Sequence, residues 1–339
     1  MKTEPVFTLP PTLLDMWLHR LRLTWARATL WTAVVLVLGL AFALWAEGIS
    51  LAEFYASGSW RILLLAPAEV LYFMLISQIQ ARTRLEEVKA IRPLVRLDDA
   101  EFQAMLATDP SLNLRNEWLA VALGFALGVA MRLVGLDPSD PWLNAYAVLT
   151  AGMMWALISL AVYIGLASPP TVSLAEKRGL RLDLFDLSFI QPVARQSLVT
   201  VFSFIGGITI PLFLVPLQAL LHPVNLFLYF AIVAMAVWVF FQSMKGTHHV
   251  LAAAKRREIG YVRRRLAATY QQLQACAEDS EGAHALTADL RAWLALEQRL
   301  LSVPEWPVDL RTLRNLAISI LVPIISVLAR LVAERLFSF

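Results

Sequence analysis

The chain has 339 residues, of which 58% are hydrophobic and only 16% are charged. This apolar excess is more than one soluble core can bury, so much of it must face lipid, and the soluble globular class is excluded. The net charge of +3 is small, and the single cysteine excludes an intramolecular disulfide framework and a cysteine-based zinc site.

Seven apolar segments are long enough to cross about 30 Å of hydrocarbon, which requires about 20 helical residues. They lie at about 28–46, 60–80, 117–136, 143–167, 196–220, 225–243 and 312–337. Between the fifth and sixth segments, Pro223 ends one helix and permits the next to begin. The sequence therefore predicts an all-α polytopic membrane protein with seven transmembrane helices.

The basic residues are distributed unevenly between the two sides of these spans. Of the 29 Lys and Arg residues, all but four fall on one set of connections; the exceptions are Arg61, Arg132, Arg330 and Arg335. Because cytoplasmic loops are enriched in Lys and Arg, this pattern predicts an amino terminus inside and a carboxyl terminus outside. The layout predicts a multi-pass protein of a plasma membrane of the bacterial inner-membrane type.

The connections on the predicted cytoplasmic side contain helical patterns of their own. Asp98 and Ser173 are each followed three residues later by glutamate, which predicts short helices at 99–107 and 174–188. The largest cytoplasmic element is predicted to be a helical hairpin at 245–311 whose first helix continues span six. The resulting divisions are a bundle at 1–244, the hairpin at 245–311 and a final span at 312–339.

Two basic clusters lie on the first helix of the predicted hairpin. Their members are Lys255, Arg256 and Arg257, and then Arg263, Arg264 and Arg265. They form either a solvated helix face paired with acidic residues of neighbouring helices, or a positive vestibule or site for an acidic partner. Nucleic-acid binding is not predicted, because no aromatic platform or groove-reading motif accompanies the charges.

Glu69 and Arg132 are charged residues inside predicted spans. A charge near the bilayer centre costs at least about 2.5–3.5 kcal/mol, so such residues mark structural or functional sites. Because spans two and three are consecutive and antiparallel, the two side chains are predicted to form an ion pair. The alternative is that Glu69 handles a proton or an ion, close to Pro67, which loosens its helix.

The last span carries a polar stripe on one helical face. Its members are Asn315, Ser319, Ser326 and Arg330, with Glu334 one turn further on. Pro323 removes a helical hydrogen bond midway and could serve as a kink or a gate. Either the stripe bonds neighbouring helices within one bundle, or it lines a water-filled path.

Gly124 and Gly128 form a small-xxx-small pattern in span three, which predicts close packing on a neighbouring helix, by default in the same chain. The sequence has no catalytic or phosphate-binding motif, so no enzyme is predicted. His248 and His249 point about 100° apart on a helix and lack a third ligand, so no metal site is predicted. None of the five lysines lies inside a span, which excludes a retinal Schiff base, and no cofactor is predicted.

In layout the chain resembles the insect chemoreceptors, seven-helix ligand-gated cation channels whose last helix lines a tetrameric pore. The predicted orientation, the extension at 245–311 and the polar last span from Asn315 carry this resemblance, while the family's Thr-Tyr and Gln-Phe signature is absent. The resemblance implies a homo-oligomer in the lipid bilayer that conducts small ions.

Three functional hypotheses follow from these patterns. The first is a homo-oligomeric ion channel whose final helix lines the pore. The second is a secondary transporter with Glu69 as the coupling carboxylate, although seven spans without an internal repeat do not form two equal inverted halves. The third is a membrane sensor or scaffold that acts through the hairpin at 245–311.

Overall fold

The computed structural model describes residues 11–107, 113–133, 139–167, 184–185, 190–216, 220, 222–275, 280–304, 306 and 310–337, and within these ranges it contains helices and no strand. The helices are α1 (Leu13–Arg20), α2 (Trp25–Ala46), α3 (Leu51–Ala56), α4 (Trp60–Ile91), α5 (Asp99–Ala107), α6 (Leu114–Leu133), α7 (Pro141–Ala167), α8 (Ile190–Leu214), α9 (Pro223–Ala275), α10 (Ser280–Ser302) and α11 (Leu310–Phe337).

Seven of these helices are long and apolar enough to cross a membrane, which confirms the predicted all-α, seven-span class. They are α2, α4, α6, α7, α8, α9 and α11. The clearest difference concerns α8, which runs from Ile190 to Leu214 instead of 196–220. Pro216 has no N–H to continue the helical ladder, so the helix ends before it.

Consecutive spans alternate in direction, which places α1, α5, α10 and the distal part of α9 on one side of the bundle. We call this the hairpin side, and the side that carries α3 the opposite side. The 53 residues of α9 form one helix that extends for about 80 Å at 1.5 Å per residue, more than twice the length that crosses about 30 Å of hydrocarbon. The continuation of span six past Gly260 is thereby confirmed.

The predicted helix at 99–107 is confirmed as α5, and its N-cap follows the expected pattern. Asp98 accepts a 2.6 Å hydrogen bond from the backbone N–H of Glu101, and the Glu101 carboxylate accepts one of 3.2 Å from the Asp98 N–H. Of the segment at 174–188, only Leu184 and Phe185 are among the described residues, so the helix predicted there lies outside them.

The largest apolar core lies towards the hairpin side. It joins the end of α4 to α5, α8 and α9, and residues from α10 and α11 complete it. Val201 and Phe240 at its centre are 0% exposed. Of all spans, α8 is the most enclosed, because the other six turn broad apolar faces outward to lipid.

Two carboxylates connect elements that are distant in sequence by capping helix N-termini. Glu117 on α6 accepts a 2.7 Å hydrogen bond from the Leu13 N–H at the start of α1. Glu47 accepts one of 2.6 Å from the Trp142 N–H at the start of α7. Each negative charge meets the positive end of a helix dipole, which stabilises both connections.

Candidate functional site between α4 and α8

Helices α4 and α8 pack along their lengths and share a row of polar side chains, which we call the polar seam. The Gln80 amide N–H donates to Ser203 Oγ at 2.7 Å, and the Thr83 hydroxyl donates to Gln196 Oε1. Such interhelical hydrogen bonds contribute about 0.6–2 kcal/mol each in a membrane. They hold the hairpin-side half of this interface in one register.

Glu69 lies at the end of the polar seam that is further from the hairpin side. It is near the middle of its apolar span. It follows Trp60 by nine residues, or about 14 Å of helix, in a hydrocarbon layer about 30 Å thick. Its side chain is only 3% exposed, and its Oε2 atom has no hydrogen-bond partner among the described residues. A buried carboxyl oxygen without a partner is costly, and an ionisable residue inside a span is by default a candidate functional site.

The glycine pair of α8 makes room for this part of α4. A Cβ atom at Gly207 would lie 3.4 Å from Glu69 Oε2, so the carboxyl rests against bare backbone. A Cβ at Gly206 would overlap the hydroxyl of Tyr72, which donates a 2.6 Å hydrogen bond to the Phe202 carbonyl. Gly206 therefore leaves room for the Tyr72 side chain, and Gly207 lets Phe73 and Glu69 pack directly on the backbone of α8.

The structure does not bring Glu69 and Arg132 together, so the predicted ion pair is wrong. Within the described residues no ion pair or hydrogen bond joins them, because Glu69 is turned towards α8 whereas α6 packs mainly on α7. Glu69 lies within electrostatic reach of the Tyr72 and Tyr229 hydroxyls instead. The alternative interpretation of Glu69, as a group that handles protons, does not need Arg132.

Arg132 lines a cavity of about 630 Å³ on the opposite side of the bundle, together with Glu53, Asp140 and Asn144. Hydrogen bonds from the backbone N–H and the hydroxyl of Ser50 lower the pKa of Glu53 below its usual value. Glu53 therefore stays ionised, and the cavity carries charges of both signs.

The polar stripe of α11 faces the interior of the bundle. Ser319 and Pro323 are buried, while Asn315, Ser326 and Arg330 are half-buried; the side chain of Glu334 is outside the described part. The Ser319 and Ser326 hydroxyls donate to carbonyls of their own helix at 2.7 and 2.8 Å. Apolar residues occupy the exposed side: Ile318, Leu321, Val322, Ile325 and Leu328.

Arg330 is the member of the stripe that bonds to another helix. Its Nη1 donates to the carbonyls of Leu212 and Val215, at 2.8 and 2.6 Å, where α8 ends. The Leu212 carbonyl lacks its helical partner, because residue 216 is proline. The guanidinium thus caps α8 and complements the negative end of its dipole. This contact between helices is made by Arg330, whereas the two serine hydroxyls of the stripe bond within α11.

We expect Arg330→Met to lower the free energy of unfolding by about 2–4 kcal/mol, because two carbonyls lose a charged donor. Thermal unfolding in detergent measures the change. Arg314→Met is the matched control, since Arg314 lies on the same helix and is exposed. Equal midpoints for the two variants would show that the cap does not stabilise the bundle.

The basic residues of the two clusters on α9 differ in what they contact. Lys255 is only 8% exposed and donates to the carbonyls of Leu301 and Val303 at 3.0 and 2.8 Å, so its predicted place on a solvated face or in a vestibule is wrong. Arg263 pairs with Glu297 of α10 at 2.7 Å, as the solvated-face interpretation predicts. All five arginines of the clusters are exposed: Arg256, Arg257, Arg263, Arg264 and Arg265.

The predicted helix contact at Gly124 and Gly128 is formed within the chain, between α6 and α7. A Cβ at Gly124 would lie 2.5 Å from Ser159 Oγ and would also overlap the Trp155 carbonyl oxygen. A Cβ at Gly128 would overlap the Ala151 carbonyl oxygen. Only hydrogen at these positions permits this backbone approach.

Glu69 was predicted from the sequence as a candidate functional residue, but the other residues of the polar seam were not. Gln80 and Thr83 follow Glu69 on the same face of α4, and Gln196, Ser203 and Gly207 recur on α8 at intervals of seven and four. Polar residues at helical spacing within two apolar segments were the signal that could have found it.

Comparison with known proteins adds no assignment. No family model matches the chain, no curated protein is significantly similar to it, and no solved structure matches it. The resemblance to insect chemoreceptors stays a prediction from layout.

Proposed function

We propose that this protein is a proton-coupled secondary transporter in which Glu69 binds and releases the coupling proton. The observation that carries the proposal is a carboxyl 3% exposed near the middle of the apolar span 60–80, with one oxygen unpartnered in the described part of the chain. Intramembrane carboxyls of this kind mark proton relays in pumps and transporters. The charge distribution supports a plasma membrane with the hairpin side in the cytoplasm.

The surroundings of Glu69 link its protonation to the packing of α4 on α8. The Glu69 carboxyl lies against the Gly207 backbone, away from water. An ionised carboxylate would lose its solvation there, so the protonated, neutral form is favoured. If α4 and α8 separate and water enters, the ionised form becomes favourable. The proton therefore stabilises the closed interface, and release of the proton stabilises the open one.

Both helices have features that permit such a movement. Gly206 and Gly207 leave no side chain to interlock with α4, and Pro211 interrupts the hydrogen-bond ladder of α8. Pro67 does the same in α4, two residues before Glu69. A proline inside a continuous transmembrane helix loosens it locally and permits bending of this kind.

A channel whose pore is lined by the α11 helices of several subunits is less well supported. The polar stripe of α11 faces the interior of its own bundle and not a neighbouring subunit. To face a path between subunits, α11 would have to rotate and break the bonds from Arg330 to Leu212 and Val215. The sensor or scaffold hypothesis draws on the exposed arginines of α9, but no described feature of the hairpin identifies a partner.

Infrared spectroscopy of the protein in lipid bilayers tests the proposal directly. We expect one protonated carboxyl whose absorption disappears as the pH is raised in the wild type and which is absent in Glu69→Gln. In proteoliposomes with an imposed pH gradient, the wild type should accumulate one of a panel of small solutes. Glu69→Gln should exchange that solute but not accumulate it, because a neutral amide cannot carry a proton.

Glu117→Gln is the matched control, since Glu117 is also buried in a span but caps α1. It should retain the titrating absorption and the accumulation of solute. Glu69→Gln should unfold at a temperature no lower than that of the wild type, because the substitution removes a buried ionisable group. Accumulation in Glu69→Gln that responds to pH as in the wild type would refute the assignment.

A further inference from the structure

The hairpin side of the bundle carries a partly open apolar groove. Helix α1 lies across it, and the walls come from α1, α2 and α7, with Met74 of α4 at the floor. The groove encloses about 430 Å³, within the range of small-ligand sites. Along α2 it extends from Trp25 to Gly39, which is about 21 Å of helix.

The walls of this groove match a hydrocarbon chain. Side chains such as Leu18, Val35 and Leu149 line it, and its few polar groups include the hydroxyls of Thr32 and Thr150. The Thr150 hydroxyl is satisfied within its own helix, by the Tyr146 carbonyl at 2.9 Å. An occupant with polar atoms along its length would find few partners, whereas a lipid acyl chain needs none.

The end of the groove at the membrane surface is basic. Arg20, Arg22 and Arg27 lie beside the groove residues Leu21, Leu23 and Ala28, and all three arginines are exposed. The nearby carboxylate of Asp15 is engaged in capping α1, where it accepts hydrogen bonds from Thr12. Positive charge at the headgroup level above an apolar groove favours an anionic phospholipid.

Arg22 occupies a position that normally suits glycine. Its φ of 53° lies in the left-handed region, where α1 ends and the Leu23 N–H bonds back to the Leu18 carbonyl at 3.0 Å. A side chain there strains the backbone, so an arginine in place of glycine points to a use for its charge.

We propose that this groove binds one anionic phospholipid, with an acyl chain between α1, α2 and α7 and the headgroup against Arg22 and Arg27. The cap from Glu117 to Leu13 holds α1 across the groove, so the lipid is enclosed on the hairpin side. This site is separate from Glu69 and does not depend on the transporter proposal.

Native mass spectrometry of the purified full-length protein tests the site, with phosphatidylglycerol and phosphatidylcholine of identical acyl chains as probes. We expect one phosphatidylglycerol bound more tightly than phosphatidylcholine. Arg22→Gly should weaken phosphatidylglycerol binding roughly fivefold, and Arg22→Gly/Arg27→Gln roughly thirtyfold, as expected for one and two cations at the membrane surface. Phosphatidylcholine binding should remain unchanged in both variants.

Two further variants distinguish this site from general lipid adhesion. Thr32→Trp should fill the groove and reduce binding of both lipids, while Arg257→Gln/Arg264→Gln, with the same charge change on exposed positions of α9, should bind like the wild type. Arg22→Gly relieves backbone strain, so its folding is not in question. Equal binding of the two lipids by the wild type, or unchanged binding by Arg22→Gly/Arg27→Gln, would overturn the proposal.

Discussion

Substitution of Gly128 by leucine is expected to separate α6 from α7 and to lower the free energy of unfolding by about 3 kcal/mol or more. Any Cβ at this position overlaps the Ala151 carbonyl oxygen and lies 2.9 Å from both the Ala151 carbonyl carbon and the Trp155 ring. Two of these three contacts are with backbone atoms of α7, which no change of rotamer can move. The helices must part, and the contacts along their whole interface weaken together.

Thermal unfolding in detergent and the yield of monodisperse protein measure this effect. Gly260→Leu is the control, because a Cβ at Gly260 meets only the tip of the Arg264 side chain at 4.0 Å. Leucine there should stabilise α9 by roughly 0.5–1 kcal/mol, since glycine is a poor helix former. The two variants therefore shift stability in opposite directions. A Gly128→Leu protein as stable as Gly260→Leu would show that α6 and α7 do not pack as described.

Replacement of Lys255 by methionine is expected to release the end of α10 from α9. The ammonium group donates to the Leu301 carbonyl in the last turn of α10 and to the carbonyl of Val303, the residue after the helix, and it lies at the negative end of the helix dipole. Methionine keeps the apolar stem but removes the charge and its hydrogen bonds, at a cost of about 3 kcal/mol. Local opening of α10 should then become about a hundredfold more frequent.

Hydrogen exchange of the α10 amides reports this opening directly. Arg264→Met is the matched control, because Arg264 is exposed on the same helix and its loss should change stability by no more than about 0.5 kcal/mol. The amides of α6 and α7 should exchange at wild-type rates in both variants. If α10 exchanges alike in Lys255→Met and Arg264→Met, the cap does not hold the hairpin.

The length of apolar segments and local capping patterns were sufficient to predict most helices. A span needs about 20 apolar residues in any tertiary context, so the seven spans could be located from composition alone. The N-cap at Asp98 and the run of α9 through Gly260 depend on neighbours within a few residues. Such local interactions are determined before any tertiary contact forms.

The partners of the charged residues were decided by tertiary structure. Glu69 faces the glycines of α8 instead of Arg132, and Lys255 caps α10 instead of facing solvent. In these cases the residue type was noticed in the sequence, but its environment was predicted wrongly.

The sequence by itself determined that the chain has seven helices long and apolar enough to span a membrane, with a carboxyl inside the second of them. Only the tertiary structure decided which face of each span is inside. The physical reason is that lipid and the bundle interior are both apolar, so the sequence of a span has little periodicity to show its inner face. Helix rotation is set instead by contacts between distant segments, such as Gly128 on Ala151 and Arg330 on Leu212.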